Sequence, residues 1–199
     1  MKKKQNIGLF FGSFNPIHLG HLIIANYMSE FADLDQIWFV ISPHNPLKKK
    51  QSLLSVSFRI EMVELAIKEF DRFKVCNAEI NMPQPSYTIH TLAFLSEKHP
   101  TYNFSLIMGA DNLLSFNKWK NFNQILENYT LYVYPRNGYE KEFIPEELLK
   151  FKEKIFFTKA PIIEISSSFI RNAISEKKDI RFFMPLRVSE YIDKQQFYQ

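Results

Sequence analysis

Short apolar runs alternate along the chain with stretches whose apolar residues recur every three or four positions. Ile7–Phe11, Ile37–Ile41, Phe73–Cys76, Phe104–Met108 and Leu131–Tyr134 read as buried strands, and Phe156-Phe157 as a late edge strand. Helical spacing runs from His21 to Phe31, from Phe58 to Phe70 and from about Ile89 to Glu97. Strands that are apolar on both faces, separated by helices, call for βαβ units and a parallel sheet covered on both sides. The pattern predicts an α/β chain with a doubly wound, mostly parallel sheet. It is expected to form a single domain over 1–199, with an ordered core from about residue 5 to 192.

The length of 199 residues suits one sizeable core. With 46% hydrophobic and 23% charged residues, the composition is that of an ordinary globular protein. The 20 Phe and 9 Tyr predict an aromatic-rich core. The net charge of +4 owes much to Lys2–Lys4 and Lys48–Lys50. An excess this small suits an anionic small substrate as well as nucleic acid and does not choose between them. Cys76 is the single cysteine, so an internal disulfide or a cysteine metal site is excluded, which fits a reducing compartment. The apolar run Ile7–Phe11 is too short for a secretory leader, and no run approaches the roughly 20 residues of a membrane helix. A cytoplasmic protein without membrane association is expected.

The first strand runs into Gly12-Ser13-Phe14-Asn15-Pro16-Ile17-His18-Leu19-Gly20-His21. Gly12 is expected to let the backbone leave the strand at a steep angle, and Pro16 to pre-set the turn. His18 and His21 are three apart and share one face at a helix start. Gly20 between them is expected to let a ligand approach the backbone. Two imidazoles and unused backbone N–H groups at a helix N-terminus make an anion site. Zinc fits poorly, because no third ligand stands nearby at a usual spacing. Toward the other end stands Ile165-Ser166-Ser167-Ser168-Phe169-Ile170-Arg171. Ser166 or Ser167 can cap a helix there. The hydroxyls, the free N–H groups and an Arg one turn in can also cradle phosphate.

The first segment closely resembles the GxFxPxHxGH signature of the Rossmann-like HxGH nucleotidyltransferase superfamily. The second resembles its ISSTxIR motif, with Ser168 in place of the usual Thr. The middle of the chain is similar to the bacterial nicotinate-nucleotide adenylyltransferase family. Pro85–Leu92 resembles its PSYTxxTL segment, Gly109–Asp111 with Lys118-Trp119 its GxD…KW pattern, and Arg136–Tyr139 its RPGY loop, with Asn137 where Pro is usual. The resemblance extends from about Ile7 to Ile192. One departure is Leu47, which stands where the family's PHK tripeptide has His, although His44 lies close by and Lys48 keeps the cation.

The resemblance implies an adenylyl transfer from ATP to nicotinate mononucleotide. His18 and His21 would stabilise the charge on the ATP phosphates, with no covalent enzyme intermediate. It implies an ATP site formed by Gly12, Ser13, Phe14, Lys48, Gly109, Asp111, Ile165, Ser166, Ser167, Ser168 and Arg171. The mononucleotide site would comprise Tyr87, Thr88, Ile89, Trp119 and Arg136. Trp119 can stack on the flat pyridine, N–H groups near Tyr87 and Thr88 can receive its carboxylate, and Asp111 can accept from ribose hydroxyls. Each has an ordinary alternative: core packing for Trp119, a helix cap for Asp111, a structural ring for Tyr87 and a solvated loop for Arg136. Arg59 is a weaker phosphate candidate, and His90 reads as structural. No protein metal site is expected, since Mg²⁺ would come with ATP.

Phosphopantetheine adenylyltransferases share both end motifs but are usually shorter and commonly carry Thr at the first histidine; Pro85–Leu92 and Trp119 argue against them. A cytidylyltransferase would share the mechanism and use CTP. A non-enzymatic RNA-binding domain, or a relative of class I aminoacyl-tRNA synthetases, should show a KMSKS-like lysine pair or basic strips with interleaved aromatics. Neither is found, so no nucleic-acid partner is expected.

Overall fold

The computed structural model describes residues 4–43, 53–139 and 142–199. Six strands form one sheet: β1 (Gln5–Gly12), β2 (Gln36–Ile41), β3 (Phe73–Cys76), β4 (Tyr102–Gly109), β5 (Thr130–Tyr134) and β6 (Ile155–Phe157). The helices between and after them are α1 (Leu19–Phe31), α2 (Val56–Ile67), α3 (Thr88–Lys98), α4 (Ala110–Leu113), α5 (Phe122–Asn128), α6 (Ser167–Ser175) and α7 (Leu186–Gln195). The strand order is β3-β2-β1-β4-β5-β6. All five pairings are parallel, so the sheet is wholly rather than mostly parallel.

The uninterrupted apolar strands are explained by two cores. Alternate residues point to opposite faces of a strand. Phe10, Ile37, Phe39, Ile41 and Ile107 join Ile24, Met28, Met62, Ile170 and Val188 on the face covered by α1, α2, α6 and α7. Ile7, Leu9, Trp38, Val40, Leu106 and Met108 join Leu92, Leu95, Ile125 and Leu126 on the face covered by α3 and α5. Neither face of the central strands meets water, so neither needs polar residues. Phe197 and Tyr198, beyond α7, also pack against the first core.

The chain builds outward from β1 to β3, then crosses back to β4 and builds the other way. Pairing between β1 and β4 ends at Phe10↔Ile107. On the flanks it continues, to Gly12↔Ile41 in β2 and Gly109↔Tyr134 in β5. The two central strands therefore part at their carboxyl ends. A crevice at this point, where the winding reverses, is the usual ligand site of such sheets.

Arg59, in the first turn of α2, is 1% exposed and spends its guanidinium on backbone carbonyls. Its Nε donates to Leu54 O at 3.0 Å, Nη1 to Ser13 O at 2.7 Å and Ser42 O at 2.9 Å, and Nη2 to Pro43 O at 3.1 Å. It ties the exits of β1 and β2 to the start of α2. This overturns Arg59 as a phosphate candidate: the side chain is buried, does not line the crevice, and engages four of its five N–H donors on carbonyls inside the fold. Arg59→Ala strands four carbonyls, and the expected cost is at least about 3 kcal/mol. Urea denaturation checks this. A variant of native stability with weakened ATP binding would return Arg59 to the phosphate role.

Candidate active site

β1 delivers the chain to the crevice through a tight turn. The steep backbone excursion falls at Phe14, with φ of 46°, and not at Gly12. Gly12 serves a steric purpose instead: a Cβ there would stand 2.7 Å from the Phe14 ring. That ring is 1% exposed and packs edge-on against Phe10, Phe39 and His21. The Phe14 side chain is thus core, and it supports the site from below.

His18 is the N-cap of α1, with extended backbone at φ −147° and ψ 169°. His21 is three residues on, where a capping box usually places Glu. Its Nδ1 accepts the backbone N–H of His18 at 3.3 Å. The acceptor role of Nδ1 leaves the proton of the neutral ring on Nε2, a donor. The two rings stack with centroids 3.7 Å apart. Gly20 leaves space inside the fold: a Cβ there would lie 3.0 Å from both His18 Nδ1 and Ile163. It makes room for the His18 ring. Burial, aided by the Arg136 charge, pushes the pKa of His18 down to about 4, so the ring is neutral at physiological pH.

The serine-rich segment docks directly on this turn. Ser166 caps α6, its Oγ accepting Phe169 N–H at 3.1 Å. Ser167 Oγ donates to Pro16 O at 2.9 Å. Arg171 donates through Nη1 to Asn15 O at 2.9 Å and through Nη2 to Ser168 Oγ at 3.2 Å. Two motifs some 150 residues apart (separations of 151 and 156 in these bonds) are thereby joined.

Across the crevice, Asp111 follows β4 and Arg136 follows β5. The carboxylate and guanidinium stand 3.5 Å apart, both partly exposed. Arg136 also donates to the Tyr134 hydroxyl at 3.2 Å and lies over its ring. Gly109 allows this pairing, since a Cβ there would fall 2.2 Å from Asp111 Oδ1. The crevice has a volume of about 450 Å³, enough for a nucleotide.

The chain from residue 9 to 173 matches the family model described as "Cytidylyltransferase-like". It is 55% identical over 195 residues to the "Probable nicotinate-nucleotide adenylyltransferase" of Flavobacterium johnsoniae, covering 98% of this chain and 100% of that one. To the protein of the same name from Cytophaga hutchinsonii it is 47% identical, covering 98% of each. This chain belongs to the nicotinate-nucleotide adenylyltransferase family. Among solved structures, the Plasmodium falciparum nicotinic acid mononucleotide adenylyltransferase complexed with NaAD shares the fold. Its TM-score is 0.80 at 24% identity, over 98% of this chain and 97% of that one.

Within this family member the crevice gathers Gly12, Ser13, Phe14, His18, His21, Asp111, Trp119, Arg136, Ile165, Ser166, Ser167, Ser168 and Arg171. Gly109 lies just behind it. Tyr87, Thr88 and Ile89 do not line it; they form the start of α3 alongside. The Lys120 ammonium lies 4.3 Å from the Tyr87 ring centre and links this helix start to the Trp119 segment. In the first turn of α3 the His90 N–H goes to Tyr87 O at 2.9 Å, and the Tyr87 side chain makes no cap bond, so the N–H groups of Thr88 and Ile89 precede the helical ladder. Trp119 is half-buried against Phe116, with an edge on the crevice. Lys48 and His44 lie outside the described residues. Sequence reasoning missed Asn15 and Tyr134, which line the crevice, and Tyr198, which reaches Asn15 from outside it. Asn15 fell within the recognised motif but in a position read only as turn. Tyr198 carries no local signal.

The lowered pKa of His18 makes stability depend on pH. The native ring titrates near 4 and the unfolded one near 6.5. Between these values the unfolded chain binds more protons, so stability falls as pH falls through the window. At pH 5 the expected loss from this group is about 2 kcal/mol relative to pH 8. Denaturant titrations at both pH values should give a smaller difference for His18→Asn, and an equal difference would mean that His18 is not held neutral.

Proposed function

We propose that this chain is the adenylyltransferase that makes nicotinate adenine dinucleotide and pyrophosphate from ATP and nicotinate mononucleotide, a step of NAD biosynthesis. The observation that carries the reading is the junction of the two end motifs, Arg171 on Asn15 O and Ser167 on Pro16 O, beside the stacked His18 and His21. A phosphate oxygen of the mononucleotide attacks the α-phosphorus of ATP. The new P–O bond forms as the α–β bridge breaks, and the electron pair leaves on pyrophosphate. No proton must be transferred, so catalysis consists of positioning and charge stabilisation.

His21 donates from Nε2 to the transferring phosphate. His18 acts as a neutral donor in the free enzyme and gains affinity for a proton when the triphosphate enters. Arg171 and the unused N–H groups at the start of α6 hold the β- and γ-phosphates. Gly12 and Ser13 border the nucleotide through their backbone, and Asp111 accepts from ribose. Among the described residues, no group of three or more His, Cys, Asp or Glu is arranged to hold a metal. Asp111, the carboxylate facing the crevice, is already paired with Arg136. This donor set fits a Mg²⁺ ion carried in on the phosphates, which would neutralise their charge. A cytoplasmic setting, where ATP is at hand, belongs to the same proposal.

For the mononucleotide, Trp119 stacks on the pyridine and the first N–H groups of α3 receive its carboxylate. Arg136 exchanges Asp111 for an anionic group of the substrate. A carboxylate gains from both the hydrogen bonds and the helix dipole, whereas an amide gains less and adds an unwanted donor.

Pyrophosphate release should be measured with ATP or CTP against nicotinate mononucleotide, nicotinamide mononucleotide and phosphopantetheine. The expected preference for the nicotinate form over the amide is on the order of 10²-fold in kcat/KM, from two charge-assisted bonds worth roughly 3 kcal/mol. Equal use of acid and amide would remove the carboxylate site, and turnover with phosphopantetheine alone would overturn the assignment. In the same assay His21→Ala should lower kcat by roughly 10²-fold, the usual loss of one transition-state donor. Trp119→Ala should raise KM for the mononucleotide far more than for ATP; an unchanged mononucleotide KM would make Trp119 plain core packing.

A further inference from the structure

The turn that carries the histidines is also held from a part of the chain with no motif. After α7 the backbone turns through Gln196, with φ of 54°, and again at Tyr198, with φ of 66°. Both values are in the left-handed region, which L side chains disfavour. Contacts must therefore hold Tyr198 in place, and two kinds are present. Phe197 packs on Phe58 and Tyr191, with centroids 4.8 and 5.8 Å apart, and anchors the segment over α2. The Tyr198 hydroxyl donates to Asn15 Oδ1 at 2.8 Å.

Asn15 is 3% exposed. Its Oδ1 also accepts Leu54 N–H at 3.3 Å, and its backbone oxygen accepts the Arg171 guanidinium at 2.9 Å. The Tyr198 bond thus ends on the residue that joins the histidine turn to the serine-rich helix. Burial pushes the Tyr198 hydroxyl pKa well above the ordinary tyrosine range, so it stays a donor at every physiological pH.

We propose that Tyr198 is a positioning residue of the nucleotide site, which fixes the Asn15 side chain and through it the register of the 13–16 turn against Arg171. Tyr198 touches neither substrate. Without its hydroxyl, Asn15 Oδ1 loses its shorter bond of 2.8 Å and keeps that from Leu54 N–H at 3.3 Å, so the side chain is held less firmly. The carbonyl to which Arg171 is anchored is then held less firmly too. The proposal rests on reading the crevice as the ATP site.

The test compares Tyr198→Phe with the full chain, using Mg²⁺ and α,β-methylene-ATP in calorimetric titrations, steady-state kinetics and melting. Affinity for the analogue should fall, and KM for ATP should rise, by about 3- to 10-fold, the effect of one hydrogen bond. KM for the mononucleotide at saturating ATP should stay within about 2-fold, because its arm of the site is untouched. Tyr191→Phe is the control. It removes a hydroxyl bond from α7 to Glu61 (2.6 Å) that does not reach the turn, and it should leave both constants alone. In an Asn15→Ala background, Tyr198→Phe should add nothing.

A lowered melting point with native analogue affinity would overturn the proposal and leave Tyr198 a structural residue. So would equal weakening in Tyr191→Phe, or full additivity with Asn15→Ala. Failure of the unmodified chain to bind the analogue would overturn the nucleotide-site reading and the proposal together.

Discussion

The carbonyls of residues 13 to 16 are the constraint on which the site depends. A tight turn at the end of a buried strand cannot use sheet or helix bonds to satisfy its backbone, and burying such groups unpaired is costly. Three of these four oxygens accept from side chains distant in the chain. Arg59 on α2 takes Ser13 O, Arg171 on α6 takes Asn15 O, and Ser167 takes Pro16 O. Tyr198 holds the Asn15 side chain. Meeting the needs of this one turn draws two helices, α2 and α6, and a carboxy-terminal segment around the mouth of the sheet. The arrangement that satisfies the backbone is also the one that assembles the candidate nucleotide site.

Three arginines surround the turn, and their surroundings divide their work. Arg59 is buried among carbonyls, engages four of its five N–H donors there and does not line the crevice. Arg171 is anchored through Nη1 to a carbonyl and through Nη2 to the Ser168 hydroxyl at the edge of the crevice. Arg136 is partly exposed and paired loosely with Asp111 at 3.5 Å, a separation too long for a hydrogen bond and easily exchanged. Its charge helps to keep His18 neutral. With His18 neutral, the two imidazoles pack ring on ring at 3.7 Å without like-charge repulsion.

The glycines show how a need for space is set inside the fold. Gly12, expected to give backbone freedom, instead admits the Phe14 ring, and Gly20 admits the His18 ring. The left-handed backbone falls on Phe14 itself. A local pattern shows that a side chain must be absent, but the atom that needs the space comes from the folded chain.

Much was legible from the sequence alone. Apolar runs at strand spacing marked every strand of the sheet, because a strand buried on both faces has no polar position to obscure it. The HxGH and serine-rich segments were recognisable because their chemistry is local: caps, paired rings and helix starts lie within a few residues of one another. The nearness of these two segments, the parting of β1 from β4 after Phe10↔Ile107, the burial of Arg59 and the reach of Tyr198 to Asn15 were decided by tertiary structure. Each joins residues far apart in the chain. An arginine that will meet four carbonyls looks, in sequence, the same as one that will meet phosphate, because what separates them is the set of backbone oxygens the fold brings within reach.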